Sequence, residues 1–312
     1  LLSRLTRERD IKVVLTGEGA DELFLGYDLF KEVVVRLFCL RQPRSRMRPR
    51  LFQRLYPYLG GDPARAGQFW QRTFLDAGGA EDPLFSHMPR FALTSRIKDF
   101  YSDDMRTSLA SADPLAELRD ALPREFASWS ALNRAAYLEM RTLLPGYLLS
   151  SQGDRMAMSH GVEARFPFLD HHLFELAARL PGESKLRGLH EKDILRRWAR
   201  SIVPHEVEQR TKQPYRAPDI SAFFGKGDVD YVDELLSPRA LAASGYFDPA
   251  AVGGLVRRCR SGRAAGFAEN QAFVAILSTQ LWHREFIDAA TEAVRIPEAS
   301  PSARPLPEAT LA

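Results

Sequence analysis

The chain has 312 residues, and its 43 basic and 40 acidic side chains give a formal net charge of +3. Hydrophobic residues make up 45% and charged residues 27%, which is the composition of a globular protein with enough apolar material for a core. These proportions exclude disorder over most of the chain and, with 20 glycines and 20 prolines, a collagen-like or low-complexity class. The small net charge does not favour a polyanionic partner, so we expect no nucleic acid.

Cys39 and Cys259 are the two cysteines, which is too few for a disulfide framework or a metal-binding pattern. They favour a reducing, cytoplasmic location. No segment approaches the roughly 20 uninterrupted apolar residues of a membrane-spanning helix. The most apolar stretch, 29–40, contains three charged residues, and we expect no membrane partner.

The first residues, LLSRLTRERD, have the pattern of an amphipathic helix. IKVVL at 11–15 is a β-branched apolar run that predicts a buried parallel strand. TGEGADE at 16–22 then turns the chain into another helix, and strand, glycine loop and helix are the unit of an α/β fold. Because the chain starts inside a helix and without methionine, we expect an upstream portion of a larger protein before Leu1.

From about 28 to 130 the pattern is helical and rich in loops, with frequent prolines and no alternating strand runs. Apolar residues at helical spacing predict a helix over 133–149, which Pro145-Gly146 should kink or split. Further helices are predicted over 173–180, 191–202 and 270–287. The proline-containing tail has no core-forming pattern, so we predict a domain segment 1–288 followed by a disordered tail 289–312.

The loop at 16–22 is the first candidate site. Gly17 and Gly19 allow a sharp bend and close approach to a ligand at the carboxyl end of a parallel strand. The following helix would favour a phosphate at its N-terminus, and a bound Mg²⁺ would reconcile that phosphate with the carboxylates of the loop. The alternative is an ordinary turn in which Asp21 and Glu22 stabilise the helix dipole.

Two more segments concentrate charged residues. Residues 153–170 mix charges and apolar residues without helical or strand periodicity, which predicts an irregular segment fixed by ion pairs and backbone contacts. For Arg165 and Asp170 a structural role is favoured over ligand binding. Further on, Lys192 stands near a helix start and Lys212 lies in a loop beside Arg210, where cations could neutralise a phosphate or an oxyanion. Each lysine on its own is also compatible with an ordinary solvated surface.

Taken together, these segments resemble the synthetase domain of the glutamine-dependent asparagine synthetase family. That family has an S-G-E-G-[SA]-D-E loop, matched here from Thr16 to Glu22 with threonine in place of the usual serine. It also has a G-[VL]-E-x-R-x-P-F-L-D segment, a K-x-x-L-R helix and an R-x-K loop. These are matched at 161–170, 192–196 and 210–212. The resemblance spans about residues 1 to 287.

The resemblance implies an α/β fold: part of a parallel-sheet nucleotide-binding synthetase domain, with a large and mostly helical C-terminal region. Such enzymes also carry an N-terminal glutaminase domain and an S-G-G-x-D-S loop that grips the ATP pyrophosphate. This sequence contains no SGG. The chain therefore resembles the C-terminal half to two-thirds of a synthetase domain.

The family forms amides by activating a carboxylate, aspartate or an analogue, as an acyl-adenylate with ATP, and ammonia from the glutaminase domain then attacks it. By resemblance, the implied catalytic residues are Glu18 beside the acyl-adenylate and Lys212 at the charge of adenylation. Asp21 would be a Mg²⁺ ligand. The implied nucleotide and pyrophosphate contacts are Thr16, Gly17, Lys192 and Arg210. Glutamate at 18 also differs from the tyrosine of the β-lactam-forming relatives, and a homodimer is among the assemblies we expect.

Two other hypotheses stay open. The chain could be a non-catalytic, truncated or split module that acts with a partner, and it would then bind ATP weakly by itself. It could also bind nucleic acid through the seven arginines between Arg36 and Arg54, with interleaved aromatics Phe38, Phe52 and Tyr56. For that run we favour a solvated, arginine-rich helical insertion.

Overall fold

The computed structural model describes residues 1–56, 73–74, 78–210, 212, 220–224, 230–262 and 266–289. The described chain divides into two compact units. The first combines Leu1–Ala92 with Asp113–Tyr215, and the second combines Leu93–Ala112 with the described residues from Arg216 onward. The predicted disordered tail lies outside the described residues except for Ala289. The predicted segment 1–288 stays a prediction.

The elements of the first half, in chain order, are helix α1 Leu2–Glu8, strand β1 Val13–Leu15, helix α2 Ala20–Phe24, helix α3 Asp28–Leu40, a 3-10 helix Arg48–Arg54, helix α4 Met88–Thr94, a 3-10 helix Ser95–Phe100, helix α5 Asp103–Ser108, helix α6 Pro114–Asp120, a 3-10 helix Phe126–Ser128, helix α7 Ala131–Thr142 and a π-helix Leu144–Asp154.

Those of the second half are helix α8 Arg155–Met158, strand β2 Glu163–Arg165, a 3-10 helix Pro167–Leu169, helix α9 His171–Arg179, helix α10 Gly182–Lys185, helix α11 Asp193–Ala199, helix α12 His205–Glu208, helix α13 Ile220–Phe223, helix α14 Asp230–Leu235, helix α15 Pro238–Ser244, helix α16 Pro249–Arg260, helix α17 Phe267–His283 and a π-helix Arg284–Asp288. The chain is thus an α/β protein dominated by short helices.

A parallel pair of strands, β1 and β2, leads into the glycine loop. Val13, Val14 and Leu15 lie opposite residues 163, 164 and 165, respectively. The predicted parallel strand is confirmed, but the prediction that it is buried is wrong, because Val13 is 48% and Leu15 77% exposed. Parallel strands are usually covered by helices on both faces. Here, among the described residues, β1 pairs with β2 alone; one face of each strand is exposed, and Val14 and Ala164 on the other face are partly buried.

The prediction of an irregular, ion-paired segment over 153–170 is also corrected, because the segment contains α8 and β2. Its charges need no burial: Glu163 and Arg165 are both more than half exposed and pair with each other at 2.5 Å. The favoured structural role of Asp170 agrees with the structure. Its carboxylate accepts hydrogen bonds from the backbone N–H groups of His172 and Leu173 and caps α9.

The core of the first unit is built around α3. Leu29, Phe30 and Val33 are fully buried and pack with Phe85 and Ala135, the latter from α7. The opposite side of α3 is buried as well, where Val35 and Cys39 meet Phe52 in a separate cluster. Each fully buried aliphatic or aromatic side chain contributes about 1.5–3 kcal/mol. Helix α3 is therefore a central support for the loop that precedes it.

The predicted interruption near Pro145 is confirmed. Helix α7 begins at a Ser130 cap and ends at Thr142, and the chain continues as a π-helix from Leu144. Proline has no N–H to donate to the preceding turn, so the regular α-helical ladder stops there. The helices predicted over 173–180, 191–202 and 270–287 are confirmed as α9, α11 and α17, with shifted ends.

The second unit has its own core on α17. Phe273, Ile276 and Leu277 of this helix are buried against residues of α15 and α16, including Leu241 and Leu255. Cys259 lies in the same core, and both cysteines of the chain are free and buried. None of the helices in the described ranges is long and apolar enough to cross a membrane.

Candidate functional site

The loop between β1 and α2 has the predicted form. The backbone N–H of Thr16 donates to the carbonyl of Arg165 at 2.9 Å and extends the ladder of the two strands by one residue. Gly19 then turns the chain into α2 with a left-handed φ of +90°. A Cβ at Gly19 would lie 2.3 Å from Leu169 Cδ2, so both the turn and the packing require glycine at this position.

Three predicted site residues meet at one carboxylate. Asp21, in the first turn of α2, has its Oδ1 3.0 Å from Lys192 Nζ and its Oδ2 3.0 Å from Lys212 Nζ. The side chains of all three are less than a third exposed. Two ammonium groups thus share one carboxylate, which leaves the local cluster with an excess positive charge.

Lys192 occupies a strained position at the start of α11. It precedes the helix with φ +53° and ψ +32°, a left-handed conformation that costs a non-glycine residue about 1–2 kcal/mol. Its carbonyl still accepts the helical hydrogen bond from the N–H of Arg196 at 2.8 Å. The prediction that Lys192 stands at a helix start is therefore confirmed, and strain at such a position is a common mark of functional sites.

Gly26 packs directly against this ion pair, and the sequence analysis did not identify it. A Cβ there would lie 2.0 Å from Asp21 Oδ1 and 2.2 Å from Lys192 Cε. The N–H of Gly26 also donates to the carbonyl of Asp21 at 2.8 Å. A glycine just after a short helix is usually a helix cap, which conceals this role in the sequence.

Tyr27 joins the cluster from the other side. Its hydroxyl donates to Glu22 Oε1 at 2.8 Å, and its ring centroid lies 5.5 Å from Lys212 Nζ, within the range of a cation–π interaction. Burial raises the pKa of the Glu22 carboxyl, and burial together with the adjacent Glu22 carboxylate raises the pKa of the Tyr27 hydroxyl. Sequence reasoning missed Tyr27, because a single aromatic residue at the start of a helix is an ordinary feature.

Arg196 ties α11 to the loop that carries Lys212. Its guanidinium donates to Glu191 Oε1 at 2.6 Å, to the carbonyl of Glu208 at 2.5 Å and to the carbonyl of Arg210 at 3.0 Å. Burial acts to raise the pKa of Glu191, but Lys31 and Arg196 outweigh it, so the pKa falls below its ordinary value. The last arginine of the K-x-x-L-R pattern thus positions the R-x-K loop.

The cluster borders a cleft of about 480 Å³. Its wall is formed by the loop and first helical turn at 17–22, with Tyr27 and Lys192 among the remaining lining residues. Glu18 Oε2 is buried there and has no hydrogen-bond partner within the described part of the chain. The structure therefore brings Gly17, Glu18, Asp21 and Lys192 to one cleft, with Lys212 paired to Asp21. Arg210 is different: its carbonyl is held by Arg196, and the residue itself is exposed.

The sequence as a whole matches one known protein family. The model of the asparagine synthase family matches residues 1–284. The chain belongs to this family. The family resemblance inferred from the ordered motifs is thereby confirmed.

Relatives in this family carry two kinds of name. An amidase of Gibberella zeae is 28% identical over 246 residues, which cover 70% of this chain and 34% of the relative. Asparagine synthetase [glutamine-hydrolyzing] 1 of Bacillus subtilis is 29% identical, covering 68% and 31%. A putative asparagine synthetase [glutamine-hydrolyzing] of Mycobacterium tuberculosis is 30% identical, covering 67% and 30%. The chain thus spans about a third of the length of these relatives. No solved structure gives a significant match.

The predicted magnesium role of Asp21 can be compared with the donors around it. Among the residues that the structure describes, no three His, Cys, Asp or Glu side chains are grouped to hold a metal ion. Both oxygens of Asp21 already face ammonium groups at 3.0 Å. Mg²⁺ commonly takes one or two carboxylates and completes its shell with phosphate oxygens and water. The donors therefore fit a magnesium ion shared with a phosphate, and not a site made by protein ligands alone.

The arginine run at 36–54 does not form one continuous binding surface. Arg36 is 1% exposed, donates to the carbonyl of Phe85 at 2.5 Å and has its guanidinium 3.7 Å from the centre of the Phe85 ring. Phe52 is fully buried, so it is not free to stack on a base. Arg48 is directed to Phe38, with its guanidinium 4.0 Å from that ring. Five of the seven arginines are nevertheless exposed, as the favoured interpretation of a solvated run predicts, while Phe52 and Tyr56 pack in the cluster with Val35 and Cys39.

Proposed function

We propose that this chain carries the pyrophosphate-handling part of an ATP-dependent amide-forming active site. The strongest support is that Asp21, Lys192 and Lys212 come from three separate motifs and lie together. The ammonium nitrogen of each lysine is 3.0 Å from an oxygen of Asp21. Two flexible cations beside a glycine loop at the end of a parallel strand are suited to a polyphosphate. Membership of the asparagine synthase family points to the same chemistry.

The proposed reaction has two balanced steps. A carboxylate oxygen of the substrate attacks the α-phosphorus of ATP, the bond to the β-phosphate oxygen breaks, and pyrophosphate leaves with the electron pair. Ammonia then attacks the acyl carbon, AMP leaves with the carbon–oxygen electron pair, and the surplus proton of the ammonium is lost to a base. The first step develops negative charge on pyrophosphate, and the second releases a proton, so the site needs cations and a base.

Lys192 and Lys212 supply the cations. Asp21 contacts both ammonium groups at 3.0 Å and holds them next to each other. A polyphosphate carries more negative charge than one carboxylate, so it competes for both lysines, which then stabilise the departing pyrophosphate. Asp21 would be the residue that holds a Mg²⁺, and the metal would supply further neutralisation of the phosphate charge.

The remaining residues act around this cluster. We assign Thr16 and Gly17 to the nucleotide, because they end the strand and open the cleft, and Arg210 to electrostatic support of the pyrophosphate. Glu18 has a buried carboxylate oxygen without a partner. A group of this kind can accept a hydrogen bond from the attacking ammonia, position it and take up its proton.

The partners of the reaction follow from the family. We propose a small carboxylate, aspartate or an analogue, as the acid, and ammonia delivered from a glutaminase domain. The relatives named amidase and asparagine synthetase match this chain over similar shares of its length, 70% and 68%, and at similar identity. The proposal therefore fixes the class of reaction, and a panel of acids in the assay below would identify the substrate.

The test is carboxylate-dependent exchange of radiolabelled pyrophosphate into ATP by the full-length protein. Lys212→Met and Glu18→Ala should each lower the exchange rate at least about a hundredfold, since each removes a group proposed to touch the reacting atoms. Lys98→Met is the matched control, because Lys98 is an exposed lysine of a 3-10 helix, and it should be silent. Normal exchange in both site variants would overturn the assignment.

A second measurement separates catalysis from a purely structural module. Isothermal titration calorimetry of ATP with residues 1–312 alone should show weak binding, because this sequence has no S-G-G-x-D-S loop. Weak binding together with absent exchange would favour the non-catalytic module.

A further inference from the structure

A second cavity of about 400 Å³ lies in the first compact unit. Its walls are mostly apolar or aromatic and include Trp129, Tyr137, Met140 and Phe174. Its volume lies in the range of pockets for small molecules, which is roughly 300–1,000 Å³. Glu22 of α2 lines both this cavity and the lysine–aspartate cleft.

Lys185 contributes a buried cation to this cavity. It is 3% exposed, and its Nζ donates one hydrogen bond, to the carbonyl of Ala177 at 3.1 Å. Among the described residues no carboxylate lies within 4.0 Å of it. Burial lowers the pKa of Lys185, as expected for an ammonium group without a counter-ion. Two of its three N–H donors are therefore left for another acceptor.

Glu22 contributes a carboxyl group. It is 1% exposed, its Oε1 accepts a hydrogen bond from the hydroxyl of Tyr27, and its Oε2 is buried without a hydrogen-bond partner among the described residues. Glu22 and Lys185 line the same cavity, yet they do not form an ion pair with each other. Buried charges are normally paired, because an unpaired charge in a low-dielectric interior is costly. Both groups therefore lack a partner of opposite charge at the same place.

We propose that this cavity binds a free α-amino acid with an apolar or aromatic side chain. Its carboxylate pairs with Lys185 and its ammonium group with Glu22 Oε2, while its side chain packs against Trp129 and Phe174. A zwitterion satisfies both buried charges at once and adds no net charge to the cavity. Lys185, Trp129 and Phe174 do not line the proposed nucleotide cleft, so binding of the amino acid can be tested separately from the amide-forming function.

The experiment uses L-phenylalanine, 3-phenylpropionate and 2-phenylethylamine as probes, with calorimetry on the full-length protein. These share the aromatic body and differ in having both charges, the carboxylate alone or the amine alone. We expect L-phenylalanine to bind most tightly. Lys185→Met should weaken L-phenylalanine and 3-phenylpropionate at least about tenfold and leave the amine unchanged. Glu22→Gln should show the reverse pattern.

Two further variants keep the result interpretable. Lys98→Met controls for the loss of a lysine, and Ala178→Phe places an aromatic ring at an exposed position of the cavity wall without removing a buried charge. Ala178→Phe should abolish binding of all three probes while circular dichroism and pyrophosphate exchange stay normal. Absence of L-phenylalanine binding to the folded wild-type protein would overturn the proposal. Equal loss of all three probes in Lys185→Met and Glu22→Gln would also overturn it.

Discussion

Replacement of Gly26 by alanine is the most direct probe of the lysine–aspartate cluster. The new Cβ would lie 2.0 Å from Asp21 Oδ1, and an ordinary contact begins at 3.4 Å, so this oxygen must retreat by 3.4 − 2.0, or about 1.4 Å. Lys192 Cε, at 2.2 Å from the new atom, must move as well. Because Oδ1 now lies 3.0 Å from Lys192 Nζ, movements of this size disrupt the ion pair.

The expected cost to stability is small and the expected cost to function is large. Overpacking costs about 1–3 kcal/mol, and the atoms that must yield are the ends of flexible side chains, so we expect about 1 kcal/mol. Because the new Cβ also displaces Lys192 Cε, the ammonium group of Lys192 moves away from the position proposed for the phosphate, which removal of the Asp21 charge alone would not do. A hydrogen bond to a charged group contributes about 1.5–3 kcal/mol, so pyrophosphate affinity should fall at least about tenfold.

Urea unfolding and calorimetric titration of the full-length protein with pyrophosphate measure these two quantities separately. Gly146→Ala is the matched control, because a Cβ there meets nothing within 4 Å. It should change pyrophosphate affinity by less than about twofold, within the usual effect of a surface substitution. A folded Gly26→Ala variant that binds pyrophosphate like the wild type would refute the reasoning.

Three further substitutions test the surroundings of the site. Asp21→Asn removes the negative charge that both lysines share, so urea unfolding should show that the free energy of unfolding falls by about 1–3 kcal/mol. Calorimetry should show tighter binding of metal-free pyrophosphate, because the two lysines no longer contact a carboxylate. Unchanged stability would contradict the pairing. Arg196→Lys cannot reproduce the guanidinium contacts to the carbonyls of Glu208 and Arg210, so amide hydrogen exchange should accelerate at 205–210; unaltered protection there would exclude the positioning role. Burial raises the pKa of Glu32 from 4.5 to about 7. The folded state therefore keeps the proton of Glu32 to a higher pH than the unfolded state does, and the free energy of unfolding falls as the pH rises from 4.5 to 7. Glu32→Gln should flatten that slope and add up to about 3 kcal/mol at pH 8 in urea unfolding, with no gain at pH 4.5; a parallel pH profile would show that Glu32 does not titrate there.

Buried charges near the site illustrate how the core constrains it. Glu139 is fully buried, and burial acts to raise its pKa, but His87 at 3.5 Å and Arg90 at 2.5 Å lower it overall. This carboxylate therefore stabilises the fold above its ordinary pKa and loses that contribution as the pH falls. Glu32 shifts in the opposite direction: its raised pKa lowers the stability of the fold as the pH rises, although it belongs to the same buried region. Sequence spacing does not distinguish the two carboxylates, because the direction of each pKa shift depends on which cation reaches it.

Local rules accounted for much of the fold. Helical spacing identified α9, α11 and α17, and Pro145 marked the end of regular α-helix, because these features depend on neighbours three or four residues away. Strand β2 was missed, since three residues are too few to establish a period and its outward charges suggested an irregular loop. The exposure of β1 was also missed, because a β-branched apolar run has the same sequence whether or not helices cover it.

For the candidate site, the sequence by itself determined the chemical inventory: a glycine loop after a strand, its carboxylates, and two lysines in later motifs. Only the tertiary structure decided that Lys192 and Lys212 share Asp21, that Gly26 makes room for this pair and that Arg196 holds the loop. The physical reason is the separation along the chain of the residues that must interact. A turn or a helix is encoded by adjacent residues, whereas the approach of side chains far apart in the chain depends on packing throughout the unit. The two unpaired charges of Glu22 and Lys185 became recognisable only when folding placed them around one cavity.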